Sequence, residues 1–122
     1  MVGLEELKAS SASTVILVNS DGMGNAEEGL RYNLLRVYLT MLQENGFYPG
    51  AICFYAGGVK MVVEGSPVLD LLRALEAKGV RLILCSTCLQ YFGLTEKVAV
   101  GIVGGMGDIL LAQWMASKVI TL

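Results

Sequence analysis

Cys85-Ser86-Thr87-Cys88 is the one segment of this 122-residue sequence that sets two nucleophiles at a working distance. Residues three apart are neighbours on a helix surface, so one thiol can attack while the other resolves or relays what the first has bound. A cysteine at a helix N-terminus meets unpaired backbone amides and the positive end of the helix dipole, and both favour thiolate over thiol. A fall in thiol pKa from about 8.5 to about 7 raises the thiolate share at neutral pH from about 3% to about half. The competing explanation is packing, because free cysteine is among the most buried residue types. Cys53, between Ile52 and Phe54, reads as core. Three cysteines and no histidine point to free thiols, exclude every histidine-dependent triad, and leave too few ligands for zinc within one subunit. No metal and no other cofactor is expected.

The elements that must position the thiols alternate along the chain. Val15-Ile16-Leu17-Val18 reads as a buried strand ended by the turn Asn19-Ser20-Asp21-Gly22. A helical period runs from about Ala26 to Glu44, apolar on more than one side, and stops at Asn45-Gly46. Ala51 to Tyr55 is a second strand ending at Gly57-Gly58; Ser66-Pro67 then opens a helix stopped by Gly79. Val80 to Leu84 is a third strand that runs into the cysteine pair, whose short helix reaches Phe92 before Gly93. Val98 to Val103 is a fourth strand, Met106–Ala116 a helix with Asp108 as its only charge, and Lys118 to Leu122 a fifth strand. This repetition predicts an α/β three-layer sandwich: a mainly parallel five-stranded, flavodoxin-like sheet with helices on both faces. One domain spans 14–122, preceded by a lead-in over 1–13 that reads as a short helix and a flexible serine-rich stretch.

In open parallel sheets ligands collect beyond the carboxyl ends of the strands. The rim there gathers Asn19, Ser20, Asp21, Met23 and Gly24, then Gly57, Gly58 and Lys60, then the cysteines with Ser86 and Thr87, and last Met106 after Gly104-Gly105. Gly22-Met23-Gly24 hints at a phosphate loop, but the third glycine falls at Gly29, and Glu27 and Glu28 at the helix start repel phosphate. Lys60 is placed to stabilise an anion such as a persulfide, although a solvated lysine is the simpler reading.

Nine basic and eleven acidic residues give a net charge of −2, without the basic footprint that nucleic-acid binding requires. Charges interrupt every apolar run before membrane-spanning length, and Met1–Ser13 lacks a signal-peptide core, so a cytoplasmic protein is expected. Hydrophobic residues at 54% against 16% charged exceed what one small core consumes. The surplus predicts a homo-oligomer.

The rim motifs together resemble the DsrE/DsrF-like family, and within it the DsrE-type domain of YedF-like proteins associated with selenium metabolism. Gly57-Gly58-Val59-Lys60 with Glu64-Gly65-Ser66, and Cys85-Ser86-Thr87-Cys88-Leu89, similar to that family's Cys-Gly-Thr-Cys-Leu, carry the resemblance. Ser86 stands for a glycine, Ala26 for a glycine and Ala56 for an asparagine of the pattern. The resemblance implies a self-assembling subunit, a trimer or hexamer where composition equally permits a dimer. It also implies passage of sulfur as a cysteine persulfide at the end of strand three, matching Cys85, with a separate TusA-like sulfur carrier as partner. The expected function is thus a sulfur or selenium relay in which Cys85 accepts and Cys88 resolves or relays. Alternatives are a dithiol redox module and a non-catalytic oligomeric ligand-binding or assembly protein.

Overall fold

Val15-Ile16-Leu17-Val18 has no polar side to offer water, and such a strand is stable only between two layers. In the computed structural model, which describes residues 3–122, it lies in β1 (Thr14–Val18), every residue of which is buried. The chain then runs through α2 (Glu28–Asn45), β2 (Ala51–Phe54), α3 (Leu69–Ala77), β3 (Arg81–Cys85), α4 (Ser86–Tyr91), β4 (Ile102–Gly104), α5 (Met106–Met115) and β5 (Lys118–Thr121), with α1 (Leu4–Ser10) ahead of them. All strands are parallel, in the order β4-β3-β2-β1-β5. The architecture is the α/β sandwich expected from the alternation of elements.

The topology dictates the layers. From β1 to β4 each crossover steps the same way across the sheet, and right-handed connections then put α2, α3 and α4 on one face. The step from β4 back to β5 reverses direction and puts α5 on the other. Ile16, Ile52 and Leu82 stand in register beneath the first group, followed by Val18, Phe54 and Leu84, all essentially inaccessible. Leu35, Leu39, Leu72 and Leu75 close that core from the helices.

The second face has one helix for five strands, and it stays partly open. A groove of about 620 Å³ runs beside α5, lined by Val15, Ile83, Ile102, Leu111, Ala112 and Met115 among others. Trp114 and Met115 are 81% and 83% exposed, and Leu110, Leu111 and Met106 are exposed beside them. Leu30, Leu34, Val37 and Met41 likewise leave the outer side of α2 apolar.

Boundaries depart from the sequence expectation where backbone geometry overrides periodicity. The fourth strand is only Ile102–Gly104: Val98 forms an isolated antiparallel bridge with Val63, and Gly101, at φ +87°, turns the chain into the sheet while donating its N–H to Glu76 Oε2 at 3.0 Å. Ser66 does not cap α3 directly. Its Oγ accepts from the Val68 N–H at 3.3 Å, and the helix begins one residue later. In the lead-in, the Ser10, Ser11 and Ser13 hydroxyls bond back to carbonyls three residues earlier, ending α1 in a 3-10 turn rather than a loose stretch. Residues 1–2 of that lead-in lie outside the described part. No helix among the described residues is long and apolar enough to cross a membrane.

Candidate thiol site

β1, β2 and β3 end side by side, and glycines let their exits touch. A Cβ on Gly58 would collide with the Val18 carbonyl oxygen and lie 3.3 Å from Asn19 N, while one on Gly57 would press on Ser20 and Asp21 backbone at about 3.4–3.5 Å. The Gly57-Gly58 pair is therefore a close-approach device that locks the exit of β2 against that of β1, and the Tyr55 N–H reinforces it by donating to the Val18 carbonyl at 3.1 Å. The chain between, Ala56–Val62, winds as a 3-10 helix instead of an open loop.

One residue absorbs the strain of that junction. Ala56 has φ +49°, the one non-glycine in the left-handed region among the described residues, where an L side chain crowds its own carbonyl. The result is a backbone N–H aimed out of the junction: it donates to Cys88 Sγ at 3.1 Å. The Cys88 thiol in turn donates to Cys85 Sγ, with the two sulfurs 2.9 Å apart. That is well beyond the S–S bond length of about 2.05 Å, so the pair is a free dithiol in near contact.

The two thiols are not equivalent. Cys85 ends β3 and precedes the first residue of α4, and it is only 2% exposed. Cys88 sits inside α4, half-buried, with its sulfur uppermost. The sequence expectation of a helix-start effect on both thiols fails for Cys88. Burial pushes its thiol up, the hydrogen bond to Cys85 pushes it further, and the Ala56 N–H acts against both. The six-residue α4 supplies too little dipole at its third residue to reverse that. Cys53, fully buried mid-strand, is pushed up to about 11 by desolvation, with Arg81 opposing, and is core as expected.

The remaining predicted rim residues divide. Asn19 and Ser20 lie half-buried at the β1 exit, against the glycine pair. Gly104 pairs in register with Cys85, so the β4 exit adjoins the thiols, and the Gly105 N–H is capped by Asp108 Oδ2 at 2.9 Å. Ser86 and Thr87 flank the sulfurs in sequence, Thr87 exposed. Asp21 is committed elsewhere: Arg31 holds its carboxylate at 3.1 Å and also donates to the Asp21 and Ala26 carbonyls. Met23 is tied to the same residue through its N–H and the Arg31 carbonyl, and its side chain packs on the core; Gly24, at φ +87°, only turns the loop. Lys60 rests its ammonium 4.7 Å above the Phe92 ring, and Met106 is exposed at the start of α5. The first-loop acid and the lysine thus serve packing, and the chemistry gathers at Cys85, Cys88 and Ala56. Sequence reasoning saw Ala56 only as a missing asparagine and gave Arg31 no role. A backbone donor leaves no letter of its own.

Among the described residues no three cysteine or carboxylate side chains cluster as metal ligands. What the arrangement can do is thiol chemistry: nucleophilic attack, disulfide closure, or both in turn.

Solved structures share the fold. The E. coli ychN protein superposes with a TM-score of 0.63 at 22% identity, over 89% of this chain and 98% of that one. MTH1491 from Methanobacterium thermoautotrophicum, a protein of unknown function, gives 0.64 at 22% identity over 89% and 97%. BT1422 from Bacteroides thetaiotaomicron, also of unknown function, gives 0.63 at 18% over 93% and 97%. No curated protein sequence matches. The sequence model of the DsrE/DsrF-like family matches residues 12–122.

Proposed function

Because the chain belongs to the DsrE/DsrF-like family, we propose that it is a sulfur-relay subunit of YedF-like type, carrying sulfane sulfur, or selenium in its place, as a persulfide on the Cys85–Cys88 dithiol. The observation that carries this reading is the unbonded thiol pair, sulfurs 2.9 Å apart, at the carboxyl end of β3 with a backbone N–H on the upper sulfur. A free dithiol suits a reducing cytoplasm. The donor or acceptor is a small carrier protein of TusA type, which presents its sulfur on a flexible end. The apolar face around Trp114 and Met115 joins copies of the chain into a closed trimer or hexamer.

Brief incubation with glutathione persulfide, quenched by alkylation and read by intact mass, tests the relay. One added sulfur is expected early in the time course, absent from a Cys85→Ser/Cys88→Ser double variant. A wild-type protein that gains no sulfur at any time is not a relay. The same 2.9 Å contact favours a dithiol redox switch as the second reading. That switch loses two hydrogens on treatment with an oxidised dithiol and never carries sulfur.

A further inference from the structure

The two sulfurs differ in access and in hydrogen bonding, and the difference assigns them an order. Cys88 Sγ is the half-buried, outward member and holds the Ala56 N–H; Cys85 Sγ lies beneath it, 2% exposed, touching Cys88 Sγ and little else that is mobile. A donor persulfide arriving from solvent meets Cys88 first. Resting on the relay reading above, we infer that Cys88 is the entry nucleophile and Cys85 the resolving thiol, and that the site discharges its cargo as hydrosulfide by closing the Cys85–Cys88 disulfide.

The chemistry balances in two displacements. The Cys88 thiolate attacks the outer sulfur of a donor R–S–SH; the donor S–S bond breaks, a Cys88 Sγ–S bond forms, and the donor leaves as its thiolate. The Ala56 N–H, 3.1 Å from Cys88 Sγ, steadies the negative charge on that sulfur before attack. The new outer sulfur must point away from Cys85, because Cys85 already fills the inner side of Cys88 at 2.9 Å. Cys85 therefore reaches the inner sulfur of the persulfide and not the outer one. Deprotonated by solvent, it attacks Cys88 Sγ; the disulfide forms and the outer sulfur departs with the bonding pair as HS⁻. Sulfane sulfur is reduced by two electrons and the two thiols are oxidised. A dithiol reductant resets the pair by thiol–disulfide exchange. Selenium would leave by the same route as hydroselenide.

This order is the reverse of the one suggested by sequence, and single variants separate the two. With glutathione persulfide and no added thiol, Cys85→Ala and Cys85→Ser should both accumulate a stable added sulfur on Cys88, localised by fragmentation of the Leu82–Lys97 peptide, and should lose hydrosulfide release. Cys88→Ser should lose sulfur loading altogether. Wild type should show the added sulfur give way to a disulfide with one hydrosulfide released per chain above the double variant's background. Loading of Cys85 in Cys88→Ser at the wild-type rate, or undiminished hydrosulfide release from either Cys85 variant, overturns the assignment while leaving the relay intact. Absence of both sulfur gain and disulfide in wild type removes the relay itself. Near- and far-ultraviolet circular dichroism of each variant confirms that lost loading is not lost folding.

Discussion

Replacing Ala56 with glycine should stabilise this protein, which is the opposite of what the substitution does in ordinary strands and helices. At φ +49° the alanine Cβ crowds its own carbonyl, a cost of about 1–2 kcal/mol for a non-glycine residue. Glycine removes that cost but loses more backbone freedom on folding, an offset of about 0.5–1 kcal/mol. The net expectation is a gain of about 0.5–1 kcal/mol, or about 2–4 °C in Tm for a domain of this size. The side chain of Ala56 is exposed, so no packing loss intrudes, and the N–H that reaches Cys88 is kept. Asparagine, which tolerates the left-handed region, should fall between the two, and valine should destabilise by more than 1 kcal/mol (roughly, from its branched Cβ). Urea unfolding at one fixed protein concentration measures all four, since self-association would otherwise shift the midpoints. A destabilised Ala56→Gly protein would mean that the junction is unstrained and that the aim of its N–H at the sulfur is incidental.

Three other outcomes are expected. Trp114→Glu together with Met115→Glu should convert an oligomer into a species near 13.0 kDa by light scattering, because both side chains stand more than four-fifths exposed on the face that α5 leaves open; a wild-type monomer refutes the interface. Arg31→Met should cost about 1–3 kcal/mol, since one side chain supplies three hydrogen bonds to the loop after β1; unchanged urea midpoints would show that the glycine junction alone holds that loop. Cys53 has its thiol raised from 9.0 to about 11 in the fold, so the unfolded chain releases this proton first and stability should fall as pH rises from about 9 to about 11, by at most about 1.4 kcal/mol per pH unit. Cys53→Ala should flatten that decline.

Period and punctuation carried the layers of this fold to the page before any coordinates. The β-branched run Val15–Val18 and the amphipathic stretch Leu69–Ala77 could be read because each depends on contacts repeated along a few residues. The fourth strand was misjudged for the converse reason. Val98-Ala99-Val100 has strand composition, yet Val98 pairs with Val63 and the Ala99 N–H bonds to the Val62 carbonyl, partners thirty-odd residues away that no local pattern announces. The strand order is equally silent in the sequence, because it is set by which crossover reverses direction, and only the β4-to-β5 connection does so.

The site shows the same division at the scale of single atoms. Cysteine spacing pointed to Cys85 and Cys88, and the glycine pair pointed to a tight approach, but their connection runs through Ala56, whose letter says nothing of its φ. Gly58 has no room for a Cβ beneath Val18 and Asn19, so the β2 exit can approach β1 only with Gly57-Gly58 pressed flat. Ala56 then takes the turn that remains and points its N–H at Cys88. Side-chain candidates chosen for charge, Asp21 and Lys60, are satisfied by Arg31 and Phe92 instead. A relay needs a sulfur that can be both attacked and released, and a neutral backbone donor beside a paired thiol meets that need better than a fixed cation. An ammonium held on the persulfide would also hold the departing hydrosulfide, whereas one N–H favours the anion at Cys88 without retaining the leaving group. Introducing a cation there should therefore separate the two steps: Thr87→Lys, an exposed position beside the pair, is expected to speed persulfide loading in a quenched time course and slow hydrosulfide release, and equal acceleration of both would refute this division of roles.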